Sequence, residues 1–204
     1  METSITKIYE DKGKVVIGYV LNIPLSSENQ QKIVAFQQEL RNKFNEGIWA
    51  VPSASLHITL MDWLAPLVDY TKDKDELFEE LLPEYEKVLE NILKNTRSFK
   101  ISFSEVEVGE GAIFMKGQDQ GQVDTIRNQF IEKIALLPGT KQPPKIIHFT
   151  LARFTKELPL EPIGEFVKDY SLLLEQEVDS FRLVRESVTP MLQFEIIKEY
   201  FLGS

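Results

Sequence analysis

The chain has 204 residues, 43% hydrophobic and 27% charged, enough apolar material for a core that needs no covalent staples. It has no cysteine, which excludes disulfides, thiolate zinc sites, iron–sulfur clusters and a cysteine nucleophile. The formal net charge of −9, from 32 acidic and 23 basic residues, argues against gripping a long nucleic acid through many phosphates, although one local basic pocket still admits a short or small nucleotide.

The N-terminal segment METSITKIYEDKGK is polar and lacks the apolar stretch of a secretory signal, and no apolar run approaches the length of a membrane span. The expected location is therefore the cytoplasm. Residues 14–23, KVVIGYVLNI, are β-branched and apolar and read as a buried strand. Pro24 ends it, and Ser26 or Ser27 offers a helix N-cap. Ile33, Phe36, Leu40 and Phe44 then recur at helical spacing, predicting an amphipathic helix over 27–45 that Gly47 closes. IWAVP and SLHITLMDWL follow as extended segments.

From 72 to 95 a glutamate-rich helical stretch sets Leu77, Leu81, Val88 and Ile92 on one side; Pro83 inside it predicts a kink or a division into two helices. Residues 98–117 alternate around GEG and read as a strand pair; Gly109 and Gly111 form a turn there, with no phosphate-loop fingerprint. A second amphipathic helix over 121–136 groups Val123, Ile126, Phe130 and Ile134. After the loop PGTKQPP comes the strand KIIHFTLARF, a short helix in EPIGEFVKDYS, and two closing strands, EQEVDSFRLVRES and PMLQFEIIKEYFL. Strand–helix–strand thus occurs at 14–60 and again at 111–152, a repeat visible in element order. Two copies of one unit pack about a pseudo-two-fold axis and share a cleft. No linker marks a boundary, so the chain reads as a single two-lobed domain over 1–204.

Each copy ends in the same motif. His57 and His148 are the only histidines, and each stands two residues before a threonine, in SLHITL and IIHFTL. Threonine is about one residue in twenty, so chance produces both pairs about once in 400. Side chains alternate along a strand, so His57 and Thr59 share one face while Leu56, Ile58 and Leu60 share the other. His148 and Thr150 are set likewise against Ile147, Phe149 and Leu151. A lone strand histidine is more often a packed, hydrogen-bonded residue than a catalyst; the duplication is what favours chemistry. Two imidazoles facing one cleft supply a base and an acid, and two hydroxyls supply donors to the non-bridging oxygens of a phosphate. That set suits phosphodiester displacement without a metal.

These motifs, 148 − 57 = 91 residues apart, resemble those of the 2H phosphoesterase superfamily, which includes the LigT-like 2′-5′ RNA ligases and the 2′,3′-cyclic nucleotide phosphodiesterases. HFTLAR at 148–153 is especially similar to the second motif of LigT-like members, whereas MDWLAP after the first motif departs from their more apolar stretch ending in glycine. The resemblance covers both halves of the chain. It implies an α+β, bilobal LigT-like fold: two antiparallel sheets with outer helices around a central cleft. It also implies metal-independent action on 2′,3′-cyclic phosphate ends of RNA or nucleotides, or on 2′-5′ linkages, with His57, His148, Thr59 and Thr150 as the catalytic set. No cofactor is expected, the partner is a short RNA or nucleotide, and the chain is expected to be a monomer. The competing readings are a catalytically silent nucleotide- or RNA-end-binding module of the same fold, and a histidine metal site, weak without Cys or further ligands at metal spacing.

Secondary candidates follow. Arg153 reaches phosphate only if its strand ends or bends, because alternation puts Ala152 on the catalytic face; a surface ion pair is the plainer role. Trp63 is placed to stack on a base, with core packing favoured. Tyr19 on the first strand reaches the cleft or packs in the core, the latter favoured, and Lys145 adds positive potential or is simply exposed.

Overall fold

The computed structural model describes residues 4–203; Met1–Thr3 of the polar N-terminal segment, and Ser204, lie outside the described residues. Thirteen principal elements follow in order: β1 Val15–Pro24, α1 Ser27–Phe44, β2 Ile48–Ala50, β3 His57–Leu64, α2 Lys74–Lys94, β4 Phe99–Val108, β5 Ala112–Gln118, α3 Gln122–Lys133, β6 Ile147–Phe154, α4 Leu160–Lys168, β7 Leu174–Val178, β8 Ser180–Val188 and β9 Gln193–Phe201. They build a four-stranded sheet, β3-β1-β8-β9, and a five-stranded sheet, β2-β6-β5-β4-β7. Every pairing within them is antiparallel. The expected α+β class and paired sheets are what the chain forms. Among the described residues no helix is long and apolar enough to cross a membrane.

Local chemistry explains most element ends. The Ser26 hydroxyl accepts from the Asn29 amide and caps α1. Asp73 caps α2 by accepting from the amides of Asp75 and Glu76. Of the two outcomes expected at Pro83, a kink or a division, the division does not occur: 74–94 is one helix with Pro83 inside it. Pro83 lacks an amide for the Glu79 carbonyl, and Glu79 is exposed, so the missing intrahelical bond falls on the solvent side of the helix rather than in the core. The segment read as one strand over 175–187 is two strands in different sheets. Leu174, Gln176 and Val178 are buried in alternation, the chain bends at Asp179, and it leaves the five-stranded sheet for the four-stranded one.

The helices are exchanged between the sheets. Helix α1, which follows β1 and precedes β2, packs on the five-stranded sheet: Asn29 Nδ2 donates to the Glu175 carbonyl at 2.9 Å, and Phe36 meets Phe166 and Tyr170 at and just beyond α4. Helix α3, which joins β5 to β6, packs with α2 behind β3, where Trp63, Phe78, Tyr85 and Phe130 form one aromatic cluster. One hydrophobic cluster therefore runs through both sheets. The opposite faces of β3 and β6 are left to line the space between them.

Candidate active site

Strands β3 and β6 present their motifs as alternation requires. Ile58, Leu60, Phe149 and Leu151 are buried, while His57, Thr59, His148 and Thr150 are half-buried and line one cavity of about 370 Å³. A larger cavity of about 740 Å³ opens at the start of α1, walled by acidic side chains such as Glu28 and Glu199; it contains neither histidine.

The two histidines are held alike. His57 Nδ1 lies 2.8 Å from the Ser55 carbonyl, and His148 Nδ1 lies 3.5 Å from the Ile146 carbonyl. A carbonyl only accepts, so Nδ1 carries the proton and Nε2 is left for the cleft. The Ser55 hydroxyl donates to the Met191 carbonyl at 2.7 Å, which ties the His57 strand to the β8–β9 turn. Burial pushes the His57 imidazole below its ordinary pKa, with the Ser55 carbonyl opposing and the His148 charge adding to the fall. Burial also lowers His148, opposed by the Ile146 carbonyl and reinforced by Arg127 and Arg153.

Each motif strand carries a β-bulge at the same place. On β3, Asn22 faces Thr59 but Leu21 faces Met61, so Leu60 is the extra residue. On β6, Phe114 faces Thr150 but Ile113 faces Ala152, so Leu151 is the extra residue. Both lie three residues after the histidine (57 + 3 = 60; 148 + 3 = 151). A bulge shifts the alternation by one, and the burial shows it: Leu60 and Met61 are both buried, as are Leu151 and Ala152. The side chain five residues after each histidine consequently turns into the cavity, Asp62 from β3 and Arg153 from β6.

The secondary candidates sort accordingly. Arg153 lines the cavity because its strand is bulged. Its guanidinium lies 4.6 Å from the Tyr9 ring centroid, and its buried Nε has no hydrogen-bond partner among the described residues. Trp63 does not reach the cavity: the same bulge on β3 turns it to the core, 1% exposed, inside the aromatic cluster. Tyr19 is also a core residue, stacked on Phe78 at 3.8 Å with its hydroxyl donating to Asp75 at 2.6 Å. Lys145 is exposed, and Lys141 from the same loop lines the cavity instead.

Three further lining residues escape a motif-based reading. Burial pushes the Asp62 carboxyl above its usual range, with Lys141 opposing. Glu186 is likewise raised by burial, and its Oε1 accepts from the Met191 amide at 2.6 Å. Tyr9 is pinned by its amide, which donates to the Phe154 carbonyl at 2.8 Å. The trace of Asp62 in the sequence is the parallel between HITLMD and HFTLAR, in which two successive apolar residues break the alternation at the same step.

Residues 55–190, or 136 of 204, match the sequence family described as the 2′-5′ RNA ligase superfamily. No curated protein sequence matches the chain. Among solved structures, TT0787 of Thermus thermophilus is similar with a TM-score of 0.65 and 20% identity, over 92% of this chain and 99% of that one. E. coli LigT complexed with ATP gives 0.56 and 18%, over 93% and 99%. The MHV ns2 PDE domain gives 0.53 and 11%, over 84% and 99%. At these identities the likeness is one of fold.

Proposed function

The chain belongs to the 2′-5′ RNA ligase superfamily, and from its cleft we propose that it is a phosphodiesterase acting on 2′,3′-cyclic phosphate ends of RNA or nucleotides, or on 2′-5′ linkages. The observation that carries this is the pair of H-x-T units lining one cavity, each with its imidazole Nε2 left free. The E. coli LigT structures complexed with ATP and with 3′-AMP support a nucleotide as the ligand class.

In hydrolysis of a cyclic phosphate, one imidazole takes a proton from water as the water oxygen bonds to phosphorus. The other gives a proton to the ribose oxygen whose bond to phosphorus breaks, leaving a phosphomonoester beside a free hydroxyl. Thr59 and Thr150 donate to the non-bridging oxygens, and Arg153 offsets their charge. We assign His148 as the base and His57 as the acid. Burial lowers both imidazoles; at His148 Arg127 and Arg153 add to that fall, which suits a base, whereas at His57 the 2.8 Å bond from Nδ1 to the Ser55 carbonyl opposes it, which suits an acid. In the ligation direction the roles exchange. Proton transfer by two imidazoles leaves no step that needs a metal.

The test is a panel of nucleoside 2′,3′-cyclic phosphates and 2′-5′-linked dinucleotides, assayed with and without EDTA, with product analysis. Turnover insensitive to chelator is expected, and His57→Ala and His148→Ala should each lose about 10²–10⁴-fold while remaining folded. Binding without turnover identifies a silent end-binding module; loss with EDTA identifies metal chemistry. Near-wild-type turnover in either variant refutes the paired mechanism. Role assignment is read with a substrate whose leaving group needs no proton: it should rescue His57→Ala and not His148→Ala.

A further inference from the structure

Two side chains buried behind the motif strands are unexplained by the cleft itself. Arg127 on α3 is 2% exposed and Gln37 on α1 is 3% exposed. Arg127 Nε donates to the Leu60 carbonyl at 2.9 Å, and its terminal nitrogen donates to the Thr59 carbonyl at 2.8 Å. Gln37 Nε2 donates to the Leu151 carbonyl and to the Val51 carbonyl, both at 2.8 Å. Leu60 and Leu151 are the two bulge residues. The placements are related as the motifs are: Gln37 lies 57 − 37 = 20 residues before His57, and Arg127 lies 148 − 127 = 21 before His148. The bracing is crossed, because the helix preceding each motif holds the other motif's bulge.

We infer that Gln37 and Arg127 are paired positioning residues, each clamping one bulge so that the hydroxyl before it and the side chain after it both point into the cleft. For Arg127 these are Thr59 and Asp62; for Gln37 they are Thr150 and Arg153. The inference rests on the phosphodiesterase reading only where its test uses turnover. A bulge takes its extra residue out of the regular pairing, so the carbonyl there draws on other donors: the Leu60 carbonyl on Arg127, and the Leu151 carbonyl on Gln37 in addition to the Val51 amide at 3.0 Å. Burying a guanidinium is costly, and the only carboxylate paired with it among the described residues is the exposed Asp124 at 3.5 Å, so its donors are committed mainly to backbone. Its charge is also felt at His148, so the two clamps are alike in geometry and unlike in charge.

The experiment is a set of crossed double-mutant cycles. Arg127→Met and Gln37→Met keep apolar length and delete the donors. Each is combined with Thr59→Val and with Thr150→Val, and kcat and KM are measured on a 2′,3′-cyclic nucleotide. Arg127→Met should lower kcat by about tenfold or more, with KM little changed. Adding Thr59→Val should cost little further, while adding Thr150→Val should cost its full factor. Gln37→Met should show the mirror pattern. Arg127→Lys, charged but without the fork, should fall well short of wild type. Additivity in all four pairs, an unchanged kcat in folded Arg127→Met, or full rescue by lysine would overturn the inference. If Arg127→Met does not fold, Arg127→Lys enters the same cycles. If the wild-type protein turns over no cyclic phosphate, the phosphodiesterase reading fails and the clamps are read without substrate. Amide hydrogen exchange should then rise in 59–62 for the Arg127 variant and in 150–153 for Gln37→Met. Exchange that is unchanged, or raised equally in both segments, overturns the clamps.

Discussion

An imidazole held below its ordinary pKa is neutral at pH 7, and both imidazoles of this cleft are held there, by burial first and by neighbouring positive charge second. A base is ready in that state, but an acid is not, and the free protein holds one proton on the pair only below the ordinary histidine value of 6.5. The kcat/KM profile should therefore be a bell whose maximum lies on the acid side of pH 6.5. The kcat profile should lie at higher pH, because a bound phosphate anion favours the imidazolium. A flat profile for a chemistry-limited step, or a kcat/KM maximum well above 6.5, removes the coupled pair. Asp62 is displaced the other way. Its folded pKa stands above its ordinary 3.8, so the ionised form is what folding disfavours. The resulting cost is absent below about pH 3.8, grows as pH rises through the window up to the folded pKa, and is constant above it. Asp62→Asn should accordingly raise Tm at pH 7.5, and its advantage should shrink as the pH is brought down towards 3.8. A variant no more stable than wild type at pH 7.5 contradicts the strained carboxylate.

At the level of elements, the same bulges decide what was legible in the sequence. The H-x-T faces, the buried first strand, the two amphipathic helices and the 98–117 hairpin follow from period and turn chemistry, and β1, α1, α3, β4 and β5 form close to where those patterns put them. Strict alternation fails after Leu60 and Leu151, which is why Arg153 turns into the cavity and Trp63 away from it. Its only trace is a doubled apolar step, LM in one motif and LA in the other. The division of 175–187 between two sheets at Asp179 leaves no glycine or proline behind: β7 forms an edge of the five-stranded sheet, and β8 lies between β1 and β9 in the other. A close approach between elements is equally silent until seen. A Cβ on Gly18 of β1 would stand 2.5 Å from Cγ and 2.9 Å from Cα of Pro66, in the loop between β3 and α2. Lys74 holds that loop by donating to the carbonyls of Ile17, Ala65 and Pro66. Gly18→Ala should therefore displace the loop and destabilise the protein by about 1–3 kcal/mol. Urea denaturation measures this, and a midpoint equal to wild type shows that the loop yields freely.

On the scale of the whole molecule, the exchange of α1 and α3 between the sheets makes each motif strand depend on a helix from the other half, so the cleft is braced from both sides. Its own wall is mixed in sign, with Arg153 and Lys141 against Asp62 and Glu186, and the chain around it carries a net −9. A mononucleotide meets mainly the cleft wall. Under the proposed function, a longer strand brings additional phosphates towards a protein of net negative charge, which opposes their approach. For cyclic-phosphate-ended oligonucleotides of increasing length, kcat/KM should fall with length at low ionic strength. The effect should reside mostly in association, since exposed charges change on-rates before they change chemistry. Raising salt to about 1 M shortens the Debye length to about 3 Å and should bring the long and short substrates together. Single-turnover rates at saturating substrate should be independent of length throughout. A kcat/KM that rises with length at low salt requires a basic track leading away from the cleft and refutes selection by net charge.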